Sequence, residues 1–218
     1  MKKPINSGIL AFAITLSFLQ TTHAQGTVYL SNLGQVSIGT NSVGNNSWQA
    51  ALFLTGTNSG GYLLNSIQLA MMGATGNPSG FTAMLYTAPP GPGALPGSSL
   101  GTFSGSPDPA TGGTYTYTNN SNITLSPHTD YFIVLTSGTT VANGAYFWGY
   151  AGTGSYNPIN GWSSTAGRVW TSNNGLSWNL TSGIYPQFAI DATAIPEPGV
   201  LRLLALGGLG FLWQRRRR

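Results

Sequence analysis

Acid–base and metal chemistry need carboxylates, imidazoles or thiols, and this 218-residue chain holds very few. It has four acidic residues (Asp108, Asp130, Asp191 and Glu197), two histidines and no cysteine. A glycosidase works with two carboxyl groups flanking one bond. Here Asp108 sits in SPDPA between two prolines, a turn sequence, Asp130 precedes a strand-like run and Asp191 closes one. Such positions suit capping or solvent-facing groups, because an unpaired carboxylate is seldom buried. His128, in SPHT, has abundant serines in the chain but no GxSxG elbow to present a nucleophile. One histidine with scattered aspartates does not start a metal cluster. A calcium ion held largely by backbone carbonyls is the one arrangement the inventory leaves open. No catalytic residue, cofactor or side-chain metal site is expected, and the chain reads as a non-enzyme.

The chemistry that the sequence does supply is aromatic. Trp148, Trp162, Trp170 and Trp178, with Tyr146, Tyr150, Tyr156 and Tyr185, lie among Asn, Ser and Gly. Flat rings can stack on sugar faces while neighbouring amides and hydroxyls bond the sugar hydroxyls. Trp148, Trp162 and Trp170 are the candidates for such a platform. The competing role is core filling, since each of these rings buries a large area. In AYFWGY the alternation puts Tyr146, Trp148 and Tyr150 on one face and Phe147 on the other, which suits either role.

Strands must hold these rings. No segment between Gln25 and Ala194 sustains a helical period beyond two turns, whereas short β-forming runs alternate with turn clusters. SWQAALFL (Ser47 to Leu54) ends in TGTNSGG. YLLNSIQLAM alternates from Tyr62, with Leu63, Asn65, Ile67, Leu69 and Met71 as the expected core face. FTAMLYT gathers Phe81, Ala83 and Leu85 on one side. APPGPGALPGSS (Ala88 to Ser99) is too rich in Pro and Gly for a central strand and reads as a surface loop. TYTYT, ITL, DYFIVLT, AYFWGY, GRVWTS, LSWNL and YPQFAIDA complete the set. Roughly nine to eleven strands at this turn spacing predict an all-β fold, a single jelly-roll-like β-sandwich over 25–194.

The formal net charge of +4 belongs to the ends of the chain. Residues 25–194 keep one cation, Arg168, against three aspartates, which leaves nothing to displace phosphate counterions and excludes nucleic acid as a partner. Low charge with frequent aromatics also separates this body from disordered chains.

Both ends read as export machinery. Lys2 and Lys3, an apolar run from Ile9 to Leu19, and short residues at Thr22 and Ala24 form the pattern of a secretory signal peptide over 1–24, with a helical apolar part and cleavage between Ala24 and Gln25. At the other end, 199–214 is apolar except for Arg202 and Gln214. A helix of that length spans about 24 Å, short of a hydrocarbon core of about 30 Å. Arg215, Arg216, Arg217 and Arg218 form a topology stop that stays cytoplasmic and leaves the body outside. Pro196 and Pro198 bias IPEP to an extended, exposed stem.

The sequence Pro196-Glu197-Pro198, the short hydrophobic helix and the arginine cluster together resemble the PEP-CTERM sorting signal of Gram-negative bacteria, over 195–218. The resemblance implies recognition by an exosortase, a membrane-embedded cysteine transpeptidase-like enzyme, with cleavage near the motif. It also implies a setting of exopolysaccharide production. Arg202 departs from the apolar helix common in that family; one turn from the outer boundary, it can snorkel to the interface. The body, less specifically, is similar to bacterial choice-of-anchor β domains through SWQAALFLTG, GYLLNSIQLAM, GNPSGFTAMLY, PGSSLGTFSG and ITLSPHTDYFIVLT. That likeness implies form only and transfers no site residues. The expectation is an exported protein, first inserted transiently in the inner membrane through 199–214, then released to the cell surface or matrix. There it would be structural or adhesive among exopolysaccharide; the alternative is a carbohydrate-binding module with a Trp/Tyr platform.

Overall fold

The computed structural model describes residues 26–89, 94–119, 121–164, 168–171 and 174–197, with backbone alone for 168–170. The expected signal peptide with its cleavage point at Ala24 and Gln25, and Pro198, the 199–214 helix and Arg215 to Arg218, lie outside the described residues. What is described is all β. The strands in chain order are β1 (Thr27–Ser31), β2 (Gly39–Val43), β3 (Trp48–Leu54), β4 (Tyr62–Gly76), β5 (Thr82–Thr87), β6 (Ser99–Gly105), β7 (Gly112–Asn119), β8 (Thr124–Leu125), β9 (Asp130–Thr136), β10 (Gly144–Ala151), β11 (Arg168–Thr171), β12 (Asn179–Thr181), β13 (Tyr185–Pro186) and β14 (Phe188–Ala194). Three of them, β1, β2 and β6, fall in stretches the sequence reading left unassigned. GTNSV and SLGTFSG carry too few apolar residues to show alternation, and neighbouring strands supply their pairing.

All pairings between these strands are antiparallel, and they join into one strongly curled sheet, a half-barrel in outline. The hydrogen-bonded path runs β1-β14-β4-β7-β6-β5-β9-β3-β11-β12, with β10 attached to the far half of β4 and carrying β2 and β13. The curl brings β1, β14 and β4 face to face with β9 and β3 across one interior. Tyr29 of β1, Ile67 and Leu69 of β4, Ile133 of β9 and Phe53 of β3 all bury into one core. The segment 157–163 ties β1 to β3 across this interior. Asn157 and Ile159 donate backbone hydrogen bonds to Ser31 and Tyr29 on the open edge of β1, while Ser163 bridges to Leu54 at the end of β3. An edge strand is thereby covered rather than left as a template for aggregation.

The expected inward face of β4 is correct only in its second half. Asp191 of β14 faces Ser66 and Ala192 faces Leu64, so Asn65 is an extra, bulged residue. Because side chains alternate with period two, one extra residue inverts the phase. Ile67, Leu69 and Met71 are fully buried as expected, but on the near side of the bulge Tyr62 and Leu64 point inward in place of Leu63 and Asn65.

β3 and β9 are apolar on both faces. Ala51, Phe53, Tyr131, Ile133 and Leu135 point into the main core, while Ala50, Leu52, Phe132 and Val134 form a second cluster on the outer side. Ala88 and Ala94 of the expected surface loop, with Trp48 and Trp178, cover that second cluster. A strand covered on both sides reads as a continuous apolar run, which is what WQAALFL and DYFIVLT show.

Candidate functional site

Two of the three proposed stacking residues are core residues. Trp148 on β10 and Trp162 are fully buried, so neither offers a ring face to a ligand. The indole N–H of Trp148 donates to the Gln187 carbonyl at 2.9 Å. Trp162 fills the mouth of the curl, stacked on Tyr29 (5.1 Å) and Phe53 (5.9 Å) and edge-on to Tyr62 (4.9 Å). Their burial follows from the curl, which turns the inward face of every strand toward a common interior and fills it with the largest rings. The side chain of Trp170 lies outside the described residues. The half-exposed pair is instead Trp48 and Trp178, with ring centres 6.5 Å apart on the outer face. Sequence reasoning passed over Trp48 because no local pattern tells which face of β3 a tryptophan takes.

The three aspartates of the body sit on different elements, each with its own partners. Asp108, exposed in the β6–β7 turn, accepts a 2.8 Å hydrogen bond from the Tyr146 hydroxyl, which also lies 3.0 Å from the Pro78 carbonyl. Burial, then Asp108, pushes the Tyr146 hydroxyl well above the usual phenol range, and the same two causes raise Tyr117. Asp191 accepts from the Asn65 amide at 2.7 Å. Asp130 opens β9; burial raises its carboxyl, with His128 pulling the other way. His128 sits in a left-handed turn (φ 47°) whose backbone N–H donates to the Gly56 carbonyl. Among the described residues no group of three or more His, Asp or Glu side chains gathers as for a metal ion.

The site with a defined geometry is the exit of the C-terminal stem. β14 ends at Ala194, paired with Tyr62. One residue further, Ile195 is still held: its N–H donates to the Gly61 carbonyl at 3.0 Å and its carbonyl accepts from the Asn58 side-chain amide at 2.9 Å. Asn58 is itself fixed. Its amide also reaches the Gly61 carbonyl at 2.6 Å, and its backbone N–H donates to the Tyr62 hydroxyl at 3.1 Å, a ring packed against Trp162. Gly60 and Gly61 make the close approach feasible. A Cβ on Gly60 would overlap the Ile195 carbonyl oxygen, and Gly61 has φ +76°, which favours glycine. Pro196 has no N–H to continue the ladder, and it and Glu197 are exposed.

The other end of the chain leaves beside it. Thr27 of β1 pairs with Ala192, so Gly26 lies level with the last residues of β14. From strand spacings, Gly26 and Ile195 are roughly 8 Å apart on one pole of the sheet.

No protein-family model matches the chain, and no curated protein matches it in sequence.

Proposed function

We propose that this is an exported cell-surface or matrix protein whose C-terminal tail is a PEP-CTERM-type sorting signal read by an exosortase, with a structural or adhesive role among exopolysaccharide. The body performs no catalytic step in this reading and holds no cofactor. Its finer architecture is a jelly-roll-type sandwich, a description supported by the packing of β3 and β9 against β4 and β14 across one core. The observation that carries the functional reading is the stem: directly after Ile195, whose N–H and carbonyl are both bonded to the body, Pro196 and Glu197 stand exposed, off the end of the sheet. A processing enzyme needs an extended, accessible segment, and proline at these positions keeps it from joining the fold. The low charge of the body suits a protein lying among neutral polysaccharide.

Intact mass of the mature protein, taken from membrane and extracellular fractions of producing cells, tests this. A chain ending within 196–198, with or without added glycan or lipid, supports the reading. A chain still carrying Arg218 and confined to membranes overturns it. The second reading, a carbohydrate-binding module, is favoured by the half-exposed Trp48 and Trp178 beside the turn at Asn174 and Gly175. It requires saturable glycan binding that W178A abolishes without unfolding the domain.

A further inference from the structure

We propose that the Asn58–Gly61 loop is a clamp that gates processing of the C-terminal stem by holding Ile195 to the folded body. The inference rests on the processing reading above and adds a residue-level control to it.

The loop does not merely pass near the stem. Asn58 and Gly61 occupy both backbone polar groups of Ile195, with the carbonyl accepting from Asn58 and the N–H donating to Gly61. Gly60 lies so close that the Ile195 carbonyl oxygen occupies the space a Cβ would take, with the Pro196 oxygen 3.2 Å from the same point. Tyr62 connects this arrangement to the core, because its hydroxyl accepts from the Asn58 backbone while its ring packs on Trp162 and Tyr29. The clamp therefore forms only when the curl has closed around Trp162.

Its consequence is a lack of slack. Between Ile195 and the apolar run that begins at Gly199 lie three residues, at most about 11 Å of extended chain. An enzyme that cuts a peptide bond binds several residues on both sides of it in extended form. Here the residues preceding the motif, Ala194 and Ile195, are held in the sheet and in the clamp. Release of Ile195 is therefore required before the segment can enter a cleft, and the opening equilibrium of the clamp sets how fast the stem is cut.

Three full-length variants test this. N58A removes the side-chain donor, G60A pushes on the Ile195 carbonyl, and T82A serves as the control, since Thr82 bonds the Gly80 carbonyl at the start of β5, away from the stem and from β14. Two readouts are taken. Amide exchange at Ile195, measured on the purified full chain in detergent, reports the clamp without any processing enzyme. Pulse-chase conversion of precursor to mature chain in producing cells reports the gate. N58A loses two neutral hydrogen bonds, to the Ile195 and Gly61 carbonyls. At about 1 kcal/mol for the one on Ile195, this predicts at least roughly fivefold faster exchange there, and conversion faster by a similar factor. G60A should exceed N58A in both, and T82A should leave both unchanged. Faster exchange with unchanged or slower conversion overturns the gate, and unchanged exchange overturns the clamp itself. If the wild-type chain is never converted, the processing reading fails, and the exchange result still decides whether the clamp exists.

Discussion

The indole nitrogen of Trp148 donates to the backbone carbonyl of Gln187 across 2.9 Å, at the point where three strands meet. The same carbonyl accepts from the Ala70 N–H of β4, the Gln187 N–H donates to Gly149 of β10, and its side-chain amide reaches the Gln35 carbonyl at 2.6 Å. Gln187 is thus the residue around which β4, β10 and the β13–β14 segment diverge, and Trp148 supports it from the core side. Trp162, equally buried, leaves its indole N–H without an acceptor among the described residues.

That contrast gives the first prediction. W148F and W162F both shrink a buried ring, but W148F breaks a satisfied hydrogen bond, whereas W162F removes a donor that has no acceptor among the described residues. W148F should therefore destabilise by about 1 kcal/mol more than W162F, read as the difference in urea unfolding free energies. Equal costs would mean that ring volume alone matters at both sites.

The bulge at Asn65 predicts a severe effect from a small change. Deleting Asn65 forces either Tyr62 and Leu64 out of the core or β14 out of register. The loss should exceed about 4 kcal/mol, beyond the ordinary range for single-site changes, whereas N65A, which keeps the extra residue, should cost about 1 kcal/mol. Denaturant unfolding of the two variants separates backbone count from side-chain bonding.

Burial leads the upward shift of the hydroxyls of Tyr29, Tyr86, Tyr117, Tyr146 and Tyr156, with Tyr156 pushed up to about 12. The native chain therefore keeps protons that the unfolded chain sheds above about pH 10. Their contribution to stability is complete below that pH and is lost as the pH rises through the folded values. Ultraviolet titration should show these phenols silent near pH 10, ionising with the alkaline unfolding transition. D108N should bring Tyr117 and Tyr146 down, since the Asp108 charge raises both.

Asp130 has the opposite consequence at low pH. Its carboxyl is raised by burial, so the native state takes up this proton before the unfolded one. The cost of holding the charged form is present at neutral pH and disappears as the pH falls through the raised value toward about 4. D130N should remove this component of the pH dependence, visible as a flatter stability profile on the acid side, as the pH falls toward about 4. An unchanged profile would assign the acid limb to other groups.

Much of this protein follows from the order of its residues. The absence of helical periodicity, the alternation in TYTYT and AYFWGY, and the doubly apolar runs of β3 and β9 determine an all-β chain, because period-two side chains and turn residues act locally. Proline at 196 likewise ends the ladder by its own chemistry. What sequence left open is whatever depends on partners distant along the chain. The polar GTNSV strand exists because β10 pairs with it, and the phase of β4 is set by a bulge against β14. Whether Trp148, Trp162 or Trp48 faces the core was decided by the curl of the sheet, since alternation names two faces without saying which one another strand will cover. The clamp on Ile195 is of the same kind. Asn58 and Ile195 lie 137 residues apart, and only closure of the sheet brings that amide to that carbonyl.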